Sequence, residues 1–419
     1  MRILFLGLNY APEPIGIAVY STGMCQYLAR SGHQVRAIVG KPYYPEWRVH
    51  ERFRGRGTAS SVEQGVALIR VPHYVPAVPT GGKRLLHHLS FALAALWPML
   101  REARRLRPDV VLTVAPSLIA APVARLAAAL AGAKSWLHIQ DFEVEAAFAT
   151  GLVKEDGMLP GMARRFERTV LRSFDRVSSI SFEMCRKAGS LGVPTDRIYE
   201  LRNWADLDSV RPLERPSLYR REWGITTPHV ALYSGNIANK QGIEILVDVA
   251  RRLQGRTDVT FVICGQGPNR AVLEARAAGL QNIRFHDLQP VERLNELVGL
   301  ATIHLLPQKA SAADLVLPSK LTNMLASGRP VIATADLASG LAREVAGCGR
   351  VVPPEDPEAL ANAIGELLDS PEEYARASSA ARERALSTWD QRRVLAGFAE
   401  RLEAVVAQGR PIAAAEHVS

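Results

Sequence analysis

The feature that most constrains this chain is a pattern that occurs twice. Short apolar runs, each closed by a loop, alternate with longer stretches of helical spacing. In the first series the runs are Ile3–Leu8, Val35–Val39, Val110–Val114, Trp136–Ile139 and Val177–Ser181. In the second they are Val230–Tyr233, Val259–Cys264, Ile283–Phe285, Ile303–Leu306 and Val331–Ala333, with helices predicted near 242–254, 269–278, 291–299, 319–327 and 357–369. Continuous apolar runs separated by helical stretches are what a parallel sheet covered on both faces requires. Between the series lie residues 200–228, with Pro212, Pro216 and Pro228 and little periodicity. The reading is α/β: two Rossmann-like, doubly wound parallel-sheet domains facing across a cleft. Their expected extents are 1–205 and 206–388, with 389–419 a further helix, returning to the first domain, and a tail.

Composition narrows the class. A chain of 419 residues with 47% hydrophobic and 22% charged residues is ordinary globular protein, neither disordered nor collagenous. Cys25, Cys185, Cys264 and Cys348 lie far apart with no C-x-x-C pair, which excludes a zinc ribbon and fits a reducing cytoplasm. The net charge is +9, and it is uneven. Residues 1–205 carry 27 basic and 16 acidic side chains, whereas residues 206–419 carry 24 and 26. The N-terminal half should therefore face something anionic. The start Met1–Gly7 reads as a buried strand, not a signal peptide. Lys83–Arg107 has basic ends around the apolar stretch Leu89–Leu100, too short to cross a bilayer. It fits either a helix lying in a membrane interface or an ordinary core helix. Nucleic acid is not expected as a partner, because the basic residues lack interleaved aromatic side chains.

In open α/β sheets ligands sit beyond the carboxyl ends of the strands. The segment Tyr233 to Gly242 follows the first strand of the second domain. It holds Gly235, Asn236, Lys240 and Gln241 before a helix, a combination of glycine, amine and helix start that suits a phosphate. A solvated turn would look the same. Gly265-Gln266-Gly267-Pro268 follows the next strand and would let a flat base or ribose approach the backbone. Asp314-Leu315-Val316-Leu317-Pro318-Ser319-Lys320 precedes a helix that continues through Asn323, with Ser319 the expected cap. Two helix starts and Lys240 together would favour a diphosphate. In the first domain Gly16 opens a helix after the first strand. Asp141 ends a middle strand, where a carboxylate can bind sugar hydroxyls or take a proton. His138 alternates inward and reads better as a core histidine than a catalytic one. Asp206-Leu207-Asp208 lies in the linker, a poor place for a metal, and no ligand cluster occurs elsewhere.

These residues, in this order, resemble the family-4 retaining glycosyltransferases of the GT-B fold over nearly the whole chain. The family's N-terminal glycine loop corresponds to Gly16 and its linker motif to Arg202–Asp206. Its diphosphate loop corresponds to Gly235–Gly242 and its Gly-x-Gly-Pro turn to Gly265–Pro268. The helix segment corresponds to Asn323–Ile332. Within the family, Tyr43–Trp47, His138–Asp141 and Leu317–Asn323 look like the colanic acid fucosyltransferase branch. Departures are specific. Leu315 and Asn323 stand where the family has paired glutamates, and Asn236 stands where it has arginine. Lys240 sits one place early, with Gln241 in the lysine's slot, and Gln140 replaces a histidine. The vacated roles fall to Asp314, Lys320, Lys240 and Gln241.

The resemblance implies a nucleotide-diphosphate sugar donor, GDP-fucose in that branch, and a polyprenyl-diphosphate-linked saccharide acceptor. It also implies transfer with retention, no metal or other cofactor, and a peripheral place on the cytoplasmic face of the inner membrane. Asp141 and Lys240 are the expected catalytic residues. Gly16, Gly235, Asn236, Lys240, Gln241, Gly265, Gly267, Asp314, Ser319, Lys320 and Asn323 are the expected donor contacts. A sugar-nucleotide epimerase of the same fold, or a silent membrane scaffold, fits the same plan.

Overall fold

The computed structural model describes residues 1–14, 16–55, 57–143, 158–237, 241–309 and 318–408. The chain divides into two compact units, Met1–Arg202 together with the chain from Leu395, and Asn203–Val394. The first unit is built on a sheet of β1 (Arg2–Gly7), β2 (Gln34–Gly40), β3 (Ala59–Glu63), β4 (Val66–Val71), β5 (Val110–Ala115), β6 (Lys134–Ile139), β7 (Arg176–Ser179) and β8 (Ile198–Glu200). Their spatial order is β3-β4-β2-β1-β5-β6-β7-β8, and every pair is parallel except β3–β4. The second sheet holds β9 (His229–Ser234), β10 (Val259–Cys264), β11 (Ile283–His286), β12 (Ile303–Leu306), β13 (Val331–Thr334) and β14 (Gly349–Val352), ordered β11-β10-β9-β12-β13-β14 and wholly parallel.

Burial follows this order. Every residue of the central strands β5 and β10 is buried, because helices cover both faces. The antiparallel edge strand β3, Ala-Ser-Ser-Val-Glu, is almost entirely exposed. The sequence pattern did not point to β3, β4, β8 or β14. The helix Gly81–Leu106 packs on the first sheet through Phe91, Ala95, Met99, Ala103 and Leu106, spaced three or four apart. It ends at Arg107 in the left-handed conformation, φ 47°.

The helix Gln391–Ala407 begins in the second unit and packs in the first from Leu395 onward. Phe398 is fully buried, its ring 5.2 Å from that of Trp136 on β6. The guanidinium of Arg401 lies over Tyr199, and Glu403 sits 3.3 Å from His33. All four cysteines are buried and free. Phe398→Ala should destabilise the first unit by about 3–5 kcal/mol, the usual cost of a large buried aromatic. Chemical denaturation would read this as a lower midpoint, and an unchanged midpoint would refute the anchoring role.

Candidate functional site

In each sheet the strand order reverses beside the first strand of the unit. For the second unit that point lies between β9 and β12, where open parallel sheets hold their ligands. The loop leaving β9 turns at Gly235, which has φ 138°. That backbone conformation is one L side chains rarely adopt, which favours glycine, and a Cβ there would also stand 3.1 Å from the mobile Lys320 ammonium. Lys320 begins the helix Lys320–Ala326, reached from β12, and its side chain bends back onto the β9 loop. Its Nζ donates to the Tyr233 hydroxyl at 3.0 Å and lies 4.2 Å from the centre of that ring. No carboxylate pairs with this ammonium among the described residues. Burial without a counter-charge pulls its pKa down to about 8.

The Gly-x-Gly turn has a different reason from the one its sequence suggests. A Cβ on Gly265 would meet the Gly235 carbonyl oxygen at 1.9 Å, and one on Gly267 would meet that of Ile237 at 2.2 Å. The two glycines let the β9 and β10 loops run in backbone contact. The Gly235 amide donates to Cys264 O at 2.9 Å, and the Ile237 amide donates to Gln266 O at 2.8 Å. The turn thereby fixes the loop that leaves β9. Ser319 also departs from expectation. Its backbone is already helical (φ −57°, ψ −23°), so its hydroxyl makes no capping bond. Asn323 is half-buried one turn further on. The Gln241 side-chain oxygen is buried with no partner among the described residues. Lys240 and Asp314 lie outside the described residues.

In the first unit Gly16, at φ 68°, starts the helix Ile17–Arg30 after β1. The neighbouring Glu13 is buried and accepts from the Tyr43 and Tyr44 amides at 2.9 and 3.0 Å and from Asn9 Nδ2 at 2.9 Å. Burial raises its pKa against the pull of those bonds. Asp141 follows β6 and is half-buried. Gln140, in the family's histidine slot, turns inward with Nε2 2.9 Å from His138 Nε2. The other ring nitrogen of His138 lies 3.0 Å from Ser178 Oγ. Burial drops the His138 pKa to about 3, so this imidazole is a neutral core group. Glu143 binds the amides of Ser117 and Leu118 and ties the β5 loop to the end of β6. In the linker the Asp206 carboxylate serves the turn by accepting from the Asp208 and Ser209 amides, and Asp208 forms an exposed pair with Arg392 at 2.6 Å.

Residues 16–204 match the family described as "Glycosyl transferase 4-like domain", and residues 228–370 match "Glycosyl transferases group 1". The chain is 39% identical, over 95% of its length and 98% of the relative's, to WcaI of Escherichia coli (strain K12), named as a colanic acid biosynthesis glycosyl transferase. The chain belongs to this glycosyltransferase family. Its fold is GT-B. Sucrose-phosphate synthase of Thermosynechococcus elongatus has a TM-score of 0.74 at 16% identity, covering 97% of this chain and 100% of the other. HepE of Anabaena, in complex with UDP and glucose, has 0.68 at 16%, covering 96% and 100%.

Two features of this glycosyltransferase carry no motif. One is Tyr233, legible in sequence only as a strand residue. The other is the outer face of the Gly81–Leu106 helix. There Leu86, Leu89, Leu93 and Trp97 form an exposed stripe, with Leu93 and Trp97 64% and 69% exposed. Exposed Lys83 and Arg84 stand at one end and Arg101, Arg104 and Arg105 at the other. No described helix is long and apolar enough to cross a membrane.

A cation held without a counter-charge costs stability when nothing is bound. Lys320→Met should raise the melting temperature of the ligand-free glycosyltransferase by a few degrees, from a gain on the order of 1 kcal/mol. The sign with pH is fixed by the lowered pKa. Between about 8 and 10.5 the unfolded chain holds the Lys320 proton and the folded chain does not, so wild-type stability gains on the variant as pH rises. Parallel melting curves from pH 7 to 10 would refute the depressed pKa.

Proposed function

We propose that this glycosyltransferase moves a sugar from a nucleoside-diphosphate sugar to a lipid-linked saccharide at the inner face of the cytoplasmic membrane, in the building of an exopolysaccharide of the colanic acid type. The observation that carries the reading is the Lys320 ammonium over Gly235 at the β9/β12 switch point. A cation with no partner carboxylate among the described residues, set where an α/β sheet takes its ligand, suits a diphosphate. Its placement also answers the departure at Asn236. The charge that the family carries on an arginine beside the first glycine arrives here from the helix that follows β12.

In this reading the second unit holds the donor. Gly235, Asn236, Lys240 and Gln241 line the diphosphate, Gly265 and Gly267 keep that loop in place, and Asp314, Ser319 and Asn323 complete the contacts. Lys320 and Lys240 stabilise the diphosphate as it leaves, the work a metal ion does in other transferases, so the transfer proceeds without one. Gly16 and Asp141 act from the first unit, Asp141 on the transferred sugar or the acceptor hydroxyl. The anomeric configuration is retained. The likeness to WcaI supports colanic-acid-type chemistry, and GDP-fucose as donor rests on the resemblance of Tyr43–Trp47, His138–Asp141 and Leu317–Asn323 to the fucosyltransferase branch. HepE, solved with UDP and with UDP-glucose, supports the nucleotide-sugar class.

The exposed stripe and its basic ends suit a helix lying in an anionic bilayer surface, with the apolar side chains among the acyl chains and the arginines at the phosphates. This makes the enzyme peripheral and presents it to a lipid-linked acceptor.

Lys320→Ala and Lys240→Ala should each lower turnover about a hundredfold or more, the usual loss when one group stabilising a developing charge is removed. Turnover is measured on extracted lipid acceptor with GDP-fucose and a panel of other nucleotide sugars. Wild-type rates in both variants would sink the diphosphate assignment. Isomerised donor in the absence of acceptor would point instead to an epimerase. In a separate test, wild-type protein should sediment with phosphatidylglycerol vesicles and not with phosphatidylcholine vesicles. The Leu93→Glu/Trp97→Glu double variant should stay in the supernatant with unchanged melting temperature. Equal sedimentation of variant and wild type would remove the helix from the membrane assignment.

A further inference from the structure

Tyr233 sits at the penultimate position of β9 and is fully buried, yet its hydroxyl reaches the loop that leaves the strand. A phenol has one proton to give. Here it goes to the Asn236 carbonyl oxygen, 2.7 Å away. The lone pairs left on the same oxygen accept from Lys320 Nζ at 3.0 Å. One atom thus joins two segments far apart in sequence, the turn after β9 and the helix beginning at Lys320. Burial holds the phenol well above its usual pKa, so it stays a neutral donor at any working pH.

Lysine has four rotatable bonds and no planar geometry of its own, so an ammonium stays in one place only when something holds it. Among the described residues the only hydrogen bond that the Lys320 ammonium makes is the one to Tyr233. Among the described residues the groups facing its Nζ are the Tyr233 hydroxyl and ring and the backbone at Gly235, all uncharged. Its remaining N–H bonds have no partner among the described residues.

We propose that Tyr233 is a positioning residue of the diphosphate site, its hydroxyl holding the Lys320 ammonium against the Gly235 turn so that the cation stands in place before the donor arrives. The inference rests on the reading of this site as a diphosphate site. It assigns Tyr233 no contact with the substrate. Its effect passes through Lys320, by placing the charge and by favouring the charged form, since an oxygen that accepts from an ammonium stabilises the proton on it.

The test is calorimetric binding of UDP, GDP, ADP and dTDP to the full-length wild type, Tyr233→Phe and Lys320→Met between pH 6.5 and 9. Tyr233→Phe keeps the ring and removes one oxygen, and its melting curve checks that the unit stays folded. The expected result is that at least one of the four nucleotides binds the wild type and weakens as pH rises through about 8. Tyr233→Phe should bind it about fivefold more weakly at pH 7, the size of one ordinary hydrogen bond. The midpoint of the pH-dependent loss should also move to lower pH, which a purely structural role for the ring would not produce. Lys320→Met should bind more weakly still and lose the pH dependence. If Lys320→Met weakens binding while Tyr233→Phe matches the wild type in affinity and midpoint, the positioning role is wrong and the diphosphate site stands. If neither variant differs from the wild type, or if none of the four nucleotides binds, the diphosphate reading falls and this inference falls with it.

Discussion

A positive charge held without a counter-charge is the constraint around which the second unit is arranged. Lys320 lies at the switch point of the sheet with burial pulling its pKa down to about 8 and no carboxylate beside it among the described residues. A protein that needed only stability would supply an acidic partner or an apolar side chain at this place. Its neighbours are instead a glycine, where a Cβ would stand 3.1 Å from the ammonium, and a phenol that accepts one bond. The charge is kept available, and the stability it costs is borne by the packing of β9, β10 and β12 beneath it.

That packing explains residues which look functional and serve a geometric purpose. Gly265 and Gly267 permit two loops to lie backbone against backbone, and the bonds from Gly235 to Cys264 and from Ile237 to Gln266 lock them. The first unit uses carboxylates for the same end. Glu13 gathers the amides of Tyr43 and Tyr44, and Glu143 gathers those of Ser117 and Leu118. In each case a loop at the carboxyl edge of a sheet is fastened by groups that face it from its own unit, which is what pre-organisation of a binding edge requires.

How far this was legible in the sequence follows from which signals are local. The two strand series and the reversal of strand order were readable because buried parallel strands are continuous apolar runs, as in β5 and β10. β3 was not, because Ala59–Glu63 is an exposed edge whose pairing with β4 no local pattern dictates. The inward turn of His138 followed from strand alternation. The cap expected at Ser319 failed because the helical dihedrals begin one residue earlier than the Pro-Ser signal implies. Tyr233 escaped notice because its role depends on Lys320, a partner from another loop, and spacing along the chain carries no trace of it.

On the proposed reading, the relation between Asn236 and Lys320 is how a motif is lost while a site is kept. What stabilises a departing diphosphate is the potential at its oxygens, and that depends on where charge lies and how firmly it is held, not on which segment supplies it. An arginine beside the first glycine would carry its charge on the same loop that turns around the phosphate. A lysine arriving from beyond β12 carries the charge on a different segment, so a second bond is needed to bring the two together. Tyr233 provides it by donating to the carbonyl of the residue that replaced the arginine and accepting from the amine that brings the charge. The departure at position 236 and the contacts at 233 and 320 therefore form one structural solution, and treating any of the three as an isolated substitution would misjudge what the others are for.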